Sequence, residues 1–141
     1  MSEIIDSPGK RGAVAVVVRR GRLLLIRRSR FVVAPRTLCF PGGAIEGDES
    51  EAQALVREIR EELAVTISPE RRVWRSVTPW HVRLEWWLGQ LDPHAEIVPN
   101  PAEVESVHWY TTQEMAELPD LLESNRHFLA ALASGEIELA I

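Results

Sequence analysis

The chain has 141 residues, a length that predicts one compact domain with its own core. With 45% hydrophobic and 26% charged residues, a disordered or fibrous chain is excluded. Sixteen lysines and arginines against 21 acids give a formal charge of −5, so no general basic field exists to hold a nucleic-acid backbone, and DNA binding is not expected.

The single cysteine, Cys39, cannot form an internal disulfide and lies in the apolar run from Thr37 to Phe40. It reads as a buried thiol in a reducing compartment. Met1 to Arg11 carries acids and a proline where an export signal needs a basic start and an apolar stretch. The longest apolar run, Ala13 to Val18, falls far short of the roughly 20 residues that cross a bilayer. A cytoplasmic location without membrane contact is the expectation.

In chain order, the valine-rich run from Ala13 to Arg19 fits a strand covered on both faces, and Arg22 to Arg27 repeats the pattern. Only Arg20 and Gly21 separate the two, which predicts a tight hairpin. Ser29 to Arg36 reads as a loop, and Thr37 to Phe40 as a short strand stopped by Pro41-Gly42-Gly43. Asp48, with Glu51 three residues on, suits an N-cap. Ala52, Leu55, Val56, Ile59 and Leu63 then recur at helical spacing, predicting a helix from about Glu49 to Leu63.

Arg72 to Val77 and Val82 to Leu91 are the next predicted strands. In the second, Val82, Leu84, Trp86 and Leu88 alternate with Arg83, Glu85, Trp87 and Gly89, so one face is expected to meet the core. The prolines of Asp92 to Pro101 mark a loop, and Val104 to Tyr110 resumes as a strand. Pro119 is placed to open a last helix carrying Leu121, Leu122, Asn125, Phe128, Leu129 and Leu132, closed near Gly135. With no internal repeat or linker, the whole chain, 1–141, is expected to be one α/β domain, a mixed sheet with helices packed on it.

Chemistry concentrates between Gly43 and Val65. Glu61 and Glu62 lie three and four positions beyond Glu58, so the three carboxylates share an arc of about 100° on the helix. That arc is expected to face away from the apolar stripe. Like charges at this spacing weaken a helix by roughly 0.2 to 0.5 kcal/mol per pair, with only Arg57 and Arg60 near in sequence to offset them. A solvated acidic face is the bland reading of such a trio. The glycine turn before the helix adds backbone oxygens, and together they suit a hard dication such as Mg²⁺ shared with a phosphate.

Gly43, Glu49, Arg57-Glu58-Ile59, Glu61-Glu62 and Ala64-Val65 stand at the spacing G-x5-E-x7-R-E-U-x-E-E-x-G-U, with U aliphatic. The segment resembles the Nudix box, a match expected by chance on the order of once in a million chains of this length. One fixed position departs: Ala64 stands where the family has glycine. Glycine there suits a left-handed helix cap, and alanine in that conformation costs about 1 to 2 kcal/mol. The resemblance extends to Phe40-Pro41-Gly42-Gly43, the preceding hairpin and the later strand ending in Trp109-Tyr110.

The resemblance implies a Nudix fold, an α/β/α sandwich around a mixed sheet. It also implies metal-dependent hydrolysis of a nucleoside diphosphate linked to another moiety, such as a nucleoside triphosphate, ADP-ribose or a nucleotide sugar. On the matching positions, Glu58, Glu61 and Glu62 would bind Mg²⁺, with Mn²⁺ a substitute and the Gly42 carbonyl a further ligand. Arg57 and Glu49 would hold these carboxylates in place. The resemblance leaves the general base either a glutamate of the helix or one on a later loop, where Glu103 is favoured over Glu105. Gly42 and Gly43, with Arg27, Arg28 and Arg30, are candidates for phosphate contact; a solvated strand end and loop is the other reading of the arginines.

Trp87 and Trp80 are candidates for stacking on a base, although tryptophans on strands also serve as core residues. The patterns that mark coenzyme A, ADP-ribose and dinucleoside polyphosphate enzymes are not matched: Arg28, Val32 and Arg36 replace the first, Pro79 is out of register with the second, and no tyrosine lies near Val82 or Arg83 for the third. A homodimer is left open. The alternative function is a nucleotide-sensing module without turnover, which the retention of all three glutamates argues against.

Overall fold

The computed structural model describes residues 10–141; most of the segment read for an export signal lies outside them. Strand β1 (Arg11–Val16) is followed by β2 (Val18–Arg19), β3 (Arg22–Arg28), β4 (Leu38–Cys39) and β5 (Gly42–Ala44). Then come helix α1 (Glu51–Leu63), β6 (Ile67–Val77), β7 (Arg83–Leu91), β8 (Val104–Tyr110), α2 (Thr112–Ala116) and α3 (Glu123–Ala133).

One sheet has the order β5-β1-β7-β6, with β1 parallel to β7 and the other pairs antiparallel. In the second, β3 pairs antiparallel with β2, β4 and β8. The predicted first strand therefore breaks at Val17, where the chain passes from one sheet to the other. Arg20 and Gly21 close the β2–β3 hairpin with φ of 53° and 76°, the pair of positive values that matches the twist of the flanking strands.

Both sheets are covered on both faces. Leu24 and Ile26 pack with Leu55, Ile59 and Leu63 of α1, whereas Leu23 and Leu25 pack with Trp86, Met115 and Phe128 on the α3 side. This is an α/β/α sandwich around mixed strands, as expected. The second core is built on aromatic contacts: Trp86 stacks on Phe128 at 5.0 Å, and Phe40 meets both edge-on.

The expectation of one core-facing side on β7 requires correction. Leu84 and Trp86 face α3, but Glu85 is also fully buried, and Trp87 packs on the α1 side. Alternating polarity misled because the carboxylate of Glu85 is covered by arginines rather than by water.

The N-cap of α1 is Ser50, not Asp48. Its hydroxyl accepts from the Gln53 backbone N–H, and the Ser50 backbone N–H donates in return to Gln53 Oε1. Residues 46–49 close their own turn, with Glu49 N–H bonded to the Glu46 carbonyl and Glu46 N–H to Glu49 Oε1, so the helix begins two residues later than expected. At its other end Ala64 adopts φ 57°, ψ 29° and donates to the Arg60 carbonyl. Val98 and Asn100 then donate backbone N–H groups to the carbonyls of Leu63 and Glu62, satisfying acceptors that a helix end otherwise leaves open.

The last helix starts at Glu123 rather than Pro119. Leu38 donates to Asp120 and accepts from Leu122, so 120–122 run beside β4 instead of coiling. The short α2 was not expected, although Thr111 and Glu114 form a capping box legible in the sequence. Ala64→Gly should relieve the left-handed strain and raise unfolding stability by about 1 kcal/mol, measured by chemical denaturation.

Candidate active site

Arg57 ties α1 to β5. Its Nε donates to Glu49 Oε2 at 2.7 Å and its Nη2 to Glu49 Oε1 and the Ala44 carbonyl, each at 2.9 Å. Its Nη1 reaches Glu58 Oε1 at 3.0 Å and Glu61 at 3.3 Å. These bonds hold the guanidinium firmly in its charged form and push the Glu49 carboxyl below the usual range.

The three glutamates divide. Glu58 and Glu62 are fully buried, contrary to an arc facing away from the core, whereas the Glu61 side chain keeps 41% of its exposure. The two fit inside because β5 has no side chains in their way. A Cβ built on Gly43 would lie 2.3 Å from Glu58 Cδ, and one on Gly42, whose φ is +153°, would lie 2.2 Å from the Ala13 carbonyl oxygen. Gly42 N–H donates to Glu62 Oε1 at 3.0 Å.

Burial and the neighbouring charge of Glu58 raise the Glu62 carboxyl well above its ordinary value, with Glu103 adding to the effect. Glu103 therefore lies close enough to Glu62 to share its field. Its carbonyl accepts from the Ser29 amide, and its own amide donates to Asn100. Glu105 instead lies 3.7 Å from Arg36, half-exposed.

On the α3 side of β5 is a cavity of about 250 Å³. Gly42 and Gly43 line it, as do Arg28, Trp80, Asn125 and His127. Asn125 is buried and its Oδ1 accepts the Phe40 amide at 2.7 Å, which fixes the orientation of its side-chain amide. Thus the two glycines separate a carboxylate cluster from an apolar cavity.

A family model for the NUDIX domain matches residues 9–132. The chain belongs to the Nudix family. It is 33% identical over 106 residues to the NAD-capped RNA hydrolase NudC of Stutzerimonas stutzeri, covering 75% of this chain and 38% of that protein. The chain thus spans less than half the length of the curated relatives it matches. Among solved structures, the E. coli ORF135 protein is similar with 25% identity and a TM-score of 0.70, covering 90% of each chain. A MutT NUDIX hydrolase from Burkholderia pseudomallei is similar with 25% identity and a TM-score of 0.68, covering 86% of this chain and 95% of that one.

Three sequence candidates of this Nudix domain, Trp87, Arg27 and Arg30, are not among the residues lining the cavity. Trp87 lies on the opposite face of β7, where its Nε1 donates to Glu51 at 2.8 Å; Trp80, in the β6–β7 loop, is the tryptophan that lines the cavity. Arg27 is engaged by Asp120 at 2.6 Å and by the Arg36 carbonyl at 2.7 Å, and Arg28 lines the cavity instead. Arg30 lies over the Phe31 ring. The alternation of residues along a strand gave the face of Trp87 relative to Trp86, but not which face held the cavity. Asn125 was read as part of a helical stripe; a polar residue in an apolar stripe was the available signal for its lining role.

The donor set suits a hard divalent cation: carboxylate oxygens beside a glycine backbone. Glu62 Oε2 is buried and has no hydrogen-bond partner among the described residues, an arrangement that a cation would complete. Among the described residues no three histidine, cysteine or acidic side chains already close around one metal-sized point. Arg57 holds Glu58 and Glu61 toward itself, so closing the three carboxylates around a cation would require Glu61 to turn from it.

The pH dependence follows from Glu62. Its raised carboxyl means that the folded chain binds more protons than the unfolded one above pH 4.5, the ordinary value, so its contribution to stability falls as pH rises. Glu62→Gln should therefore gain stability over the parent as pH increases from 4.5, measured by denaturation at several pH values. A divalent cation held by this carboxylate would stabilise the parent more at high pH than at low pH, because metal and proton would compete for it.

Proposed function

We propose that this chain is a metal-dependent pyrophosphohydrolase that cleaves the phosphoanhydride bond of a nucleoside diphosphate linked to another moiety. The observation that carries this reading is the side-chain-free strand Gly42–Gly43, with buried Glu58 and Glu62 on one side and the cavity on the other. A nucleoside seated in the cavity brings its diphosphate across the glycines toward the carboxylates. Family membership supports the same reading, and NAD-capped RNA, the substrate in the name of the NudC relatives, contains this type of linkage.

In this proposal Glu58, Glu62 and Glu61, with the Gly42 carbonyl, hold Mg²⁺, and Mn²⁺ can substitute. When bound, the dication neutralises phosphoryl oxygens and acidifies the attacking water. Arg57, braced by Glu49 and by the Ala44 carbonyl, fixes the distance between α1 and β5 on which the ligand geometry depends. Glu103 takes the proton from the water as it attacks phosphorus, and the anhydride oxygen leaves with the second phosphate.

Arg28, partly compensating the acidic cluster, faces the phosphates from the cavity wall. Trp80 offers a ring for the base and replaces Trp87 in that role. Arg28 likewise replaces Arg27. The substrate is a small nucleotide, and the location is cytoplasmic. No helix among the described residues is long and apolar enough to cross a membrane.

The test is a panel of nucleoside triphosphates, ADP-ribose, dinucleotides, dinucleoside polyphosphates and nucleotide sugars with Mg²⁺ or Mn²⁺, resolved by which phosphate bond breaks. Glu62→Gln should lower turnover by orders of magnitude while the chain stays folded. Arg57→Gln should lower it by about 10- to 100-fold. Trp80→Ala should raise KM by about tenfold with a smaller change in kcat, since a stacked base contributes 1 to 3 kcal/mol in ~round figures. Binding without turnover across the panel would favour the sensing module.

A further inference from the structure

The α1-facing side of the first sheet carries a second charged assembly that the hydrolytic site does not use. Arg11 of β1, Arg72 and Arg75 of β6 and Arg83 of β7 surround Glu85 of β7 and Glu51, the first residue of α1. Glu85 is fully buried and receives Arg75 Nε at 2.9 and 2.7 Å, with Arg83 at 3.1 Å, Arg72 at 3.6 Å and Arg11 at 3.9 Å. Glu51 receives Arg72 Nη1 at 3.1 Å, Arg11 Nη2 at 3.2 Å and Trp87 Nε1 at 2.8 Å, and lies 3.8 Å from Arg75.

Among the described residues, four guanidinium groups against two carboxylates leave an excess of two positive charges in this assembly. The acids lie beneath, at 0% and 15% exposure, while the arginine side chains keep about 39 to 43%. The carboxylates therefore orient the forks from below and leave outer N–H groups directed to solvent. Arg83 meets Glu85 through its buried Nε alone, at 3.1 Å, and has no other carboxylate contact among the described residues. Arginine forks held in one orientation match the oxygens of a phosphate, with little ordering left to do on binding.

We propose that Arg11, Arg72, Arg75 and Arg83 form a binding site for a dianionic phosphate group, separate from the hydrolytic carboxylates. Glu51 and Glu58 are seven residues apart on α1, which places the two sites about 10 Å from one another along the helix axis. The overall charge of −5 makes a local positive excess of this kind a selective feature rather than part of a general field. The phosphate is either free or the terminal group of a nucleoside monophosphate, and guanidinium forks recognise both by the same oxygens.

Binding is measured by calorimetry on the full chain in chloride buffer with a chelator, using inorganic phosphate in one arm and AMP in the other. Saturable binding of phosphate that survives in Glu62→Gln and weakens by about tenfold in Arg83→Gln, as expected for one lost charged hydrogen bond, supports the site. Equal binding of AMP assigns recognition to the phosphoryl group alone; binding of phosphate without AMP assigns it to the free ion. Arg72→Gln provides an independent weakening, and thermal unfolding checks that each variant is folded. If phosphate does not bind saturably, or binds equally to both folded arginine variants, the proposal is overturned.

Discussion

The structure depends on two carboxylates packed where side chains are missing. Glu58 and Glu62 are buried on α1 because Gly42 and Gly43 present only backbone to them. Burying acids beside one another is costly in a low-dielectric interior. Here the opposing factors are specific: the Gly42 amide on Glu62 and the Arg57 fork on Glu58, while Glu62 Oε2 is buried with no hydrogen-bond partner among the described residues. Stability is therefore given up at the same atoms that the proposed chemistry requires.

Arg57 links this constraint to the rest of the fold. One guanidinium contacts Glu49 before the helix, Glu58 and Glu61 within it, and the carbonyl of Ala44 on the edge strand. The first sheet, in turn, places β5 beside β1, so the position of the glycines is set by a paired central strand. The carboxylates are held by a helix and a sheet together rather than by a loop, which suits a site needing small positional tolerance.

Much of this was legible in the sequence. The glycine, arginine and glutamate spacing placed the helix and its acidic residues, and Arg20-Gly21 closed a hairpin at the observed place; Pro41 interrupted the strands, but Gly42 and Gly43, read as part of that break, instead pair with β1 as β5. What escaped was tertiary. Ser50 displaced Asp48 as the cap because residues 46–49 formed their own turn, which propensity at either position does not reveal. Glu85 looked solvent-facing because alternation reports polarity, and arginines arriving from β1 and β6 covered it. The face on which Trp87 lay was predictable from Trp86, but the location of the cavity relative to that face depended on where α3 packed.

The backbone bonds from Val98 and Asn100 to the end of α1 have a consequence for how this chain can vary. The peptide carbonyl of Glu62 anchors Asn100, and three residues later the same segment delivers Glu103 to the field of the Glu62 carboxylate. Residues inserted among the exposed positions 92–94, ahead of Ala95 and Ile97, which pack against the core, lengthen a surface turn and leave that anchorage untouched. Between Asn100 and Glu103 there is no slack: a single added residue would break the registration of loop and helix. Length variation in this connection is thus confined to its first half.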